Sequence, residues 1–299
     1  MARTEDSDAT ARPRVLVLGA GGNLGKALLQ RLQRSAEWSI VAVHGSRASP
    51  GLNSIDITDA TAVRDLIRAA QPRAIVHLAG MTGIACSDDR SQALEVNVRA
   101  VETVARASTT YGVSTLLFPS TSAVYGDRYA SPVAEGAALD IRNVYAETKA
   151  RAEEILRNLH TAGAGPAAAI LRIFNVFGPG LSDSLVERLL VSGPSNPVSL
   201  TGSDTFTRDY SSVSDIAAVL EFALSMPGTS PDQTITLNVG SGVPLTNTQL
   251  VERLRKDREI YTRVVDGKWS YSCADVSAAA LLRMPLPRGL TGARAQTAP

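Results

Sequence analysis

Val15-Leu16-Val17-Leu18-Gly19-Ala20-Gly21-Gly22-Asn23-Leu24-Gly25 is the stretch that decides the fold. Its first residues form a continuous apolar, β-branched run, the pattern of a parallel strand buried on both faces; a strand with one wet face would alternate. Glycines at 19, 22 and 25 follow at once, and Leu24, Ala27, Leu28 and Leu32 then recur at helical spacing, which predicts a helix over 23–35. Glycine belongs where backbone bends tightly, where it approaches a pyrophosphate and where helix meets strand, and the N–H groups of a helix start attract phosphate. The spacing, Gly-x-x-Gly-x-x-Gly, differs from the commonest dinucleotide fingerprint, Gly-x-Gly-x-x-Gly. Its place between a first strand and a first helix is what points to a dinucleotide, with Gly19, Gly22, Asn23, Leu24 and Gly25 as its contacts.

Outward from this unit the same alternation continues. Ile40–Val43 reads as a strand, 60–70 as a helix, 74–78 as a strand, 93–109 as a helix and 115–118 as a strand. Such alternation demands right-handed crossovers and a parallel sheet covered on both faces, so the fold class is α/β, doubly wound. Past Arg172 the pattern loosens into turns such as Gly178-Pro179-Gly180 and short strand candidates such as 197–200, before Ile235–Val239 supplies one more buried strand. The expected organisation is a flexible leader (1–13), a dinucleotide-binding domain (14–174, with a returning segment at 212–242), a smaller C-terminal substrate lobe (175–211 and 243–290) and a flexible tail (291–299).

Composition narrows the function classes. Thirty Lys+Arg against 29 Asp+Glu leave no global basic field for nucleic acid or an anionic membrane. At 44% hydrophobic residues and a mean hydropathy of +0.02, the chain is too apolar to be disordered. Cys86 and Cys273 form neither a disulfide framework nor a zinc pair, which suggests a reducing cytoplasm, and His44, His77 and His160 have no metal-ligand spacing. No signal-type segment and no apolar run of about 18 residues appears, so neither secretion by that route nor membrane insertion is expected.

The end of the second strand announces the cofactor. An acid there accepts bonds from the adenosine ribose of NAD and repels the extra phosphate of NADP. Val43-His44-Gly45-Ser46-Arg47 has no acid but offers a hydroxyl and a guanidinium, which favours NADP(H) over NAD(H); Arg47 as a solvated loop residue is the bland alternative. Asp56, in Ser54-Ile55-Asp56-Ile57, is placed to meet the adenine edge or simply to close a turn. Farther on, Tyr145 and Lys149 are four apart on a helix that continues through Leu159, so phenol and ammonium share a face. A nearby cation lowers a phenol pKa from about 10 toward neutrality, making Tyr145 a proton donor and acceptor. Upstream, strand 115–118 runs into Pro119-Ser120-Thr121-Ser122, placing hydroxyls at the carboxyl end of a parallel strand, where such sheets bind ligands.

Taken in order, the glycine turn, His77-Leu-Ala-Gly80, Val-Asn97-Val, Ser120-Thr-Ser-Ala-Val-Tyr-Gly126, the Tyr145/Lys149 pair, Arg172-Ile-Phe-Asn-Val-Phe-Gly-Pro179, Arg208-Asp-Tyr-Ser-Ser-Val-Ser-Asp215 and Asn238-Val-Gly-Ser-Gly242 resemble the extended short-chain dehydrogenase/reductases. That group holds nucleotide-sugar epimerases, 4,6-dehydratases and 4-ketoreductases on a Rossmann fold, and the resemblance spans roughly residues 14 to 245. It implies Thr121 as the catalytic hydroxyl, Asn97 as its helical support, and Lys149 as a ligand of the nicotinamide ribose as well. It also implies Ile57, Leu78, Ala79 and Gly80 along the cofactor, Asn175 and Arg208 at the substrate diphosphate, and Thr82 and Ser122 at the sugar. A homodimer through helices 93–109 and 145–159 is a further implication.

Departures from the family pattern select a branch. Related 4,6-dehydratases carry an Asp-Glu pair directly after the catalytic threonine, whereas Ser122-Ala123 here can move no proton in their place. With no acidic ribose clamp after the second strand, the expected activity is NADPH-dependent reduction of the 4-keto group of a nucleotide-linked, TDP-type 4-keto-6-deoxyhexose. An NAD-retaining 4-epimerase is the first alternative and a non-catalytic dinucleotide sensor the second. The segment Thr82–Ala93 is also similar to that of 4-dehydrorhamnose and 4-keto-6-deoxymannose reductase-like proteins.

Overall fold

The computed structural model describes residues 12–45, 51–226 and 233–291. In chain order the first half runs β1 (Arg14–Leu18), α1 (Asn23–Ser35), β2 (Ser39–His44), β3 (Asn53–Ser54), α2 (Ala60–Ala70), β4 (Ala74–His77), α3 (Ile84–Asp88), α4 (Arg90–Leu94), a π-helical turn (Glu95–Arg99), α5 (Ala100–Thr110) and β5 (Thr115–Thr121). A 3-10 turn (Ser122–Tyr125) leads to α6 (Val144–Thr161), β6 (Ala167–Ile173), β7 (Val176–Phe177), α7 (Leu185–Leu190), β8 (Val198–Thr201), β9 (Phe206–Asp209) and β10 (Ser211–Ser212). The chain then forms α8 (Val213–Leu224), β11 (Ile235–Val239), β12 (Pro244–Thr246), α9 (Asn247–Leu254), β13 (Thr262–Val265), β14 (Ser270–Ser272) and α10 (Ser277–Leu281).

Among the described residues, seven strands form one parallel sheet in the order β11-β6-β5-β4-β1-β2-β3. β1 therefore sits between β2 and β4, and the winding reverses beside it, which opens a crevice at the carboxyl ends of these strands. The apolar run of β1 is wholly buried, and its side chains go alternately to two cores. Val15 and Val17 pack with Leu28 and Leu32 of α1 and Ile216 and Leu220 of α8. Leu16 and Leu18 pack with Val63 and Ile67 of α2, Val104 of α5 and Leu156 of α6. Burying each of these large apolar side chains stabilises the fold by about 1.5–3 kcal/mol.

Three elements differ from the sequence pattern. β5 continues past Phe118 to Thr121, through Pro119, because pairing with β4 ends at Val76–Leu117 and only β6 accompanies the last residues; a strand with one free side tolerates proline. The single helix expected over 93–109 is α4, a π turn and α5 in succession. β6, an alanine-rich strand with little intrinsic β preference, is held because it is buried along its whole length between β5 and β11.

The remaining strands build the smaller sheets β12-β9-β14, β13-β8 and β10-β7 around a separate apolar cluster that includes Leu189, Leu200, Leu250 and Leu254. Asp209, at the end of β9, joins this region to the turn after β11. Its carboxylate accepts from Ser241 N (2.9 Å), Ser241 Oγ (2.5 Å) and Gly242 N (3.0 Å). Even so, burial pushes its pKa up.

Candidate active site

The glycine turn is shaped by contacts that no side chain could share. Gly19 has φ +86°, and a Cβ there would lie 2.5 Å from Ala79 N; a Cβ on Gly25 would lie 2.6 Å from Gly19 O. Gly22 is different: a Cβ there would meet only Gly19 O, at 3.5 Å, so the protein itself leaves space above it. Gly22 caps α1 without any side-chain bond, leaving N–H groups of the first turn for an outside acceptor. Asn23 reaches across the crevice and donates to Gly180 O at 2.8 Å.

The other cofactor candidates are distributed unevenly. Gly19, Gly22, Asn23, Leu24, Gly25, Leu78 and Gly80 line a cleft of about 800 Å³ at the carboxyl edge of the sheet. Ala79, His44, Asp56 and Ile57 lie outside that lining. The His44 ring is held by backbone, Nδ1 2.5 Å from Gly45 O and Nε2 3.1 Å from Leu52 O. Asp56 accepts through Oδ1 from Thr58 N (2.9 Å) and Thr58 Oγ1 (2.7 Å), which holds its pKa down. Ser46 and Arg47 lie outside the described residues.

Thr121, Ser122, Tyr145 and Lys149 meet in the same cleft, which Thr82, Asn175 and Arg208 also line. α6 starts where Asn143 accepts from Ala146 N at 2.8 Å, so Tyr145 falls in the first turn and Lys149 one turn on. Lys149 Nζ donates to Pro119 O at 2.7 Å and lies 4.4 Å over the Phe118 ring. Burial lowers its pKa to about 8, against the opposing pull of Glu153. Tyr145 is pushed up to about 12 by burial, while a hydrogen bond with the Thr121 hydroxyl acts the other way. This corrects the expectation of a lowered phenol: Lys149 is turned to Pro119 O and Phe118, and desolvation wins at Tyr145. At neutral pH the phenol therefore carries its proton.

Asn97 sits in the π turn, a feature often found at functional sites. It is 2% exposed and outside the cleft lining. Oδ1 accepts from Met81 N (2.8 Å), while Nδ2 donates to Met81 O (2.9 Å) and Thr148 Oγ1 (3.0 Å). Asn97 thus ties the Gly80–Thr82 wall to α6 without reaching the cleft.

Asn175 donates to Asp209 O at 2.9 Å. Arg208 donates to Ser270 Oγ at 2.7 Å, and its guanidinium lies 3.7 Å over the Phe206 ring. A second cavity of about 330 Å³ shares Asn175 and Arg208 with the main cleft and adds Arg188, Phe206 and Tyr210. Three further residues line the cleft. Asp127 and Arg142 pair at the mouth of the cleft, and His77 is 1% exposed with neither ring nitrogen partnered among the described residues. Burial, then Lys149, drops the His77 pKa to about 3, so it stays neutral.

A further cavity, about 740 Å³, opens at the opposite edge of the sheet, lined by Arg12, Arg14 and Arg73. Arg14 donates there to Ala70 O at 3.0 Å, the role of a cation at a helix C-terminus. Among the described residues no cluster of three His, Cys, Asp or Glu could hold a metal, and no helix is long and apolar enough to cross a membrane.

The profile of the NAD dependent epimerase/dehydratase family matches residues 15–240. Methionine adenosyltransferase 2 subunit beta of Danio rerio is 33% identical over 162 residues, covering 54% of this chain and 48% of that protein. UDP-glucose 4-epimerase of Bacillus subtilis is 29% identical over 167 residues, covering 50% and 48%. The dTDP-4-dehydrorhamnose reductase of Aggregatibacter actinomycetemcomitans is 29% identical over 147 residues, covering 49% and 47%. The chain thus spans about half the length of these curated relatives. Among solved structures, MoeE5 in complex with UDP-glucuronic acid and NAD is 26% identical with a TM-score of 0.80, covering 93% of this chain and 95% of that one.

Proposed function

Because the chain belongs to the NAD dependent epimerase/dehydratase family, we propose that it is a nucleotide-sugar oxidoreductase, reducing the 4-keto group of a nucleotide-linked 4-keto-6-deoxyhexose with NADPH. The observation that carries the oxidoreductase reading is the convergence of Thr121, Tyr145 and Lys149 on one cleft with the glycine turn. The residues fit a dinucleotide: an uncapped helix start, open space above Gly22, and a buried ammonium one turn from the phenol. Gly19, Gly22, Asn23, Leu24 and Gly25 would hold its phosphates, and Lys149 its ribose. The bound nicotinamide supplies the hydride. Tyr145 gives its proton to the oxygen that becomes the hydroxyl, Thr121 hydrogen-bonds the same oxygen, and Lys149 keeps positive charge beside the developing alkoxide. Asn175 and Arg208 would hold the substrate diphosphate, with Thr82 and Ser122 beside the sugar.

The direction of reaction is supported by two features. Burial keeps the Tyr145 phenol protonated at neutral pH, the state from which carbonyl reduction begins. β2 ends at His44, and Gly45 follows with no carboxylate to clamp NAD. A 4-epimerase that retains NAD is the second reading, favoured by the likeness to MoeE5, whose structure holds UDP-glucuronic acid and NAD. Denaturing the purified protein and identifying released cofactor separates the two, since stoichiometric NAD supports the epimerase. Protein that releases none, and that oxidises NADPH against TDP-, UDP- or GDP-linked 4-keto sugars, supports the reductase; NMR of the product then gives its stereochemistry. Cofactor binding without turnover on any sugar would point to the non-catalytic sensor.

A homodimer through α5 and α6 would have to be polar. Their apolar residues, including Val101, Val104 and Leu156, are spent on the chain's own core, and no exposed large apolar residue lies on either helix among the described residues. Exposed and half-buried positions instead carry Arg106–Glu102 on α5 (2.9 Å) and Arg151–Glu147 on α6 (2.6 Å). Light scattering should therefore find a dimer through these helices at low salt that dissociates near 1 M NaCl, where the screening length shrinks to about 3 Å. A dimer mass unchanged by salt would place the interface elsewhere.

A further inference from the structure

Three successive residues at the end of β5 meet three residues of α6 that are spaced one turn apart. Thr121 bonds the Tyr145 hydroxyl, Pro119 O accepts from Lys149 Nζ at 2.7 Å, and Ser120 Oγ donates to Glu153 Oε1 at 2.5 Å. The first two contacts belong to the cleft. The third is set behind it, on a carboxylate with 0% side-chain exposure.

A buried carboxylate costs stability unless it is well partnered, and an apolar residue of similar volume often serves the fold as well or better. Glu153 is partnered heavily. Arg172 donates through Nη2 to Oε2 (2.7 Å) and through Nε to Oε1 (3.1 Å), and Arg157 Nη2 donates to Oε2 (2.7 Å). Arg172 Nη1 continues to Tyr125 OH (2.8 Å), whose hydroxyl donates to Asn238 Oδ1 (2.8 Å). A continuous chain of bonds thus runs from β11 to the catalytic end of β5. Two things follow that a leucine at 153 could not supply: a fixed height of Ser120, and hence Thr121, against α6, and a negative charge one helical turn from the buried ammonium of Lys149.

We propose that Glu153 is a positioning residue for this site, setting Thr121 against Tyr145 and keeping the Lys149 ammonium protonated. The kinetic consequence rests on the reaction proposed above; the electrostatic one does not. The titratable groups facing Lys149 are Glu153 on its own helix, Cys86 on α3 and His77 at the end of β4. Glu153 in turn faces Arg172 on β6, Arg157 on α6, and Tyr125 in the 3-10 turn.

The sequence has only four lysines, Lys26, Lys149, Lys256 and Lys268, so protein labelled at lysine 13Cε should give four titrating NMR signals, the Lys149 signal being the one lost in Lys149→Met. In Glu153→Gln the Lys149 midpoint should fall by about one pH unit. In Arg157→Gln it should rise by about 0.3 unit, because the carboxylate loses a competing cation. Arg157 is 39% exposed, so this variant should fold even if Glu153→Gln does not. Ser120→Ala should leave the midpoint in place while turnover of a 4-keto sugar falls roughly tenfold at unchanged cofactor affinity. Shifts of opposite sign in the two charge variants would support the proposal, since loosened packing cannot produce them. A Lys149 midpoint unmoved in Arg157→Gln, or moved the same way in both variants, would overturn it. The expected shifts in protein that turns over no sugar nucleotide would support the charge role of Glu153 and count against the proposed reaction instead.

Discussion

Tyr145→Phe is expected to lower hydride transfer to a 4-keto sugar nucleotide by roughly a thousandfold, about 4 kcal/mol of transition-state stabilisation, while cofactor affinity stays within about twofold. The phenol meets the Thr121 hydroxyl and lines the cleft together with Lys149. Removing its oxygen removes the proton donor and little else, because the ring and the Lys149–Pro119 contact do not depend on it. Single-turnover oxidation of NADPH, with cofactor affinity measured separately by fluorescence, checks both halves. A variant reducing at the parent rate would end the proton-donor assignment.

The pH dependence of the parent enzyme bears on the same assignment. The Tyr145 pKa is raised to about 12 and that of Lys149 lowered to about 8, each chiefly by burial. Between pH 6 and 10, then, Lys149 is the group whose charge changes. Reduction should hold steady below about 8 and decline above it as the ammonium loses its proton, well before the phenol ionises.

The parts of the molecule that were legible in sequence are those governed by short-range pattern. The run 15–18, the glycine turn and the spacing of Leu28 and Leu32 follow from local sterics and period, and each occupies the element expected of it. Tyr145 and Lys149 were legible for the same reason, being four apart on one helix. What was hidden depends on neighbours distant in the chain. β6 is a strand because two strands flank it, although its alanines alone do not ask for one. The π turn that presents Asn97 to Met81 leaves no mark in Glu95–Arg99. Glu153 reads in sequence like the solvated Glu154 beside it; only its contacts with β5 and β6 make it a buried charge.

Arg172→Met should be the most destabilising single change in this network, at about 3–5 kcal/mol near neutral pH, the cost of leaving a buried charge without its main partner. The methionine fills volume but abandons the Glu153 carboxylate to Ser120 and Arg157, and it takes a donor from the buried Tyr125 hydroxyl. The sign of the pH effect follows from Glu153. In the parent, burial pushes its pKa up, but the Arg172 bond and charge prevail and hold it below the usual carboxylate value. The parent therefore gains stability from this group above the unfolded pKa of about 4.3 and loses it as pH falls through the folded one. In Arg172→Met desolvation prevails, the folded pKa rises above the unfolded value, and the penalty is largest where Glu153 must be charged. The stability gap between parent and variant should thus narrow as pH falls from 7.5 to 5. Urea denaturation at those two pH values measures it. A gap of equal size at both would mean that Arg172 stabilises by packing and by its bond to Tyr125, with its charge opposite Glu153 contributing nothing.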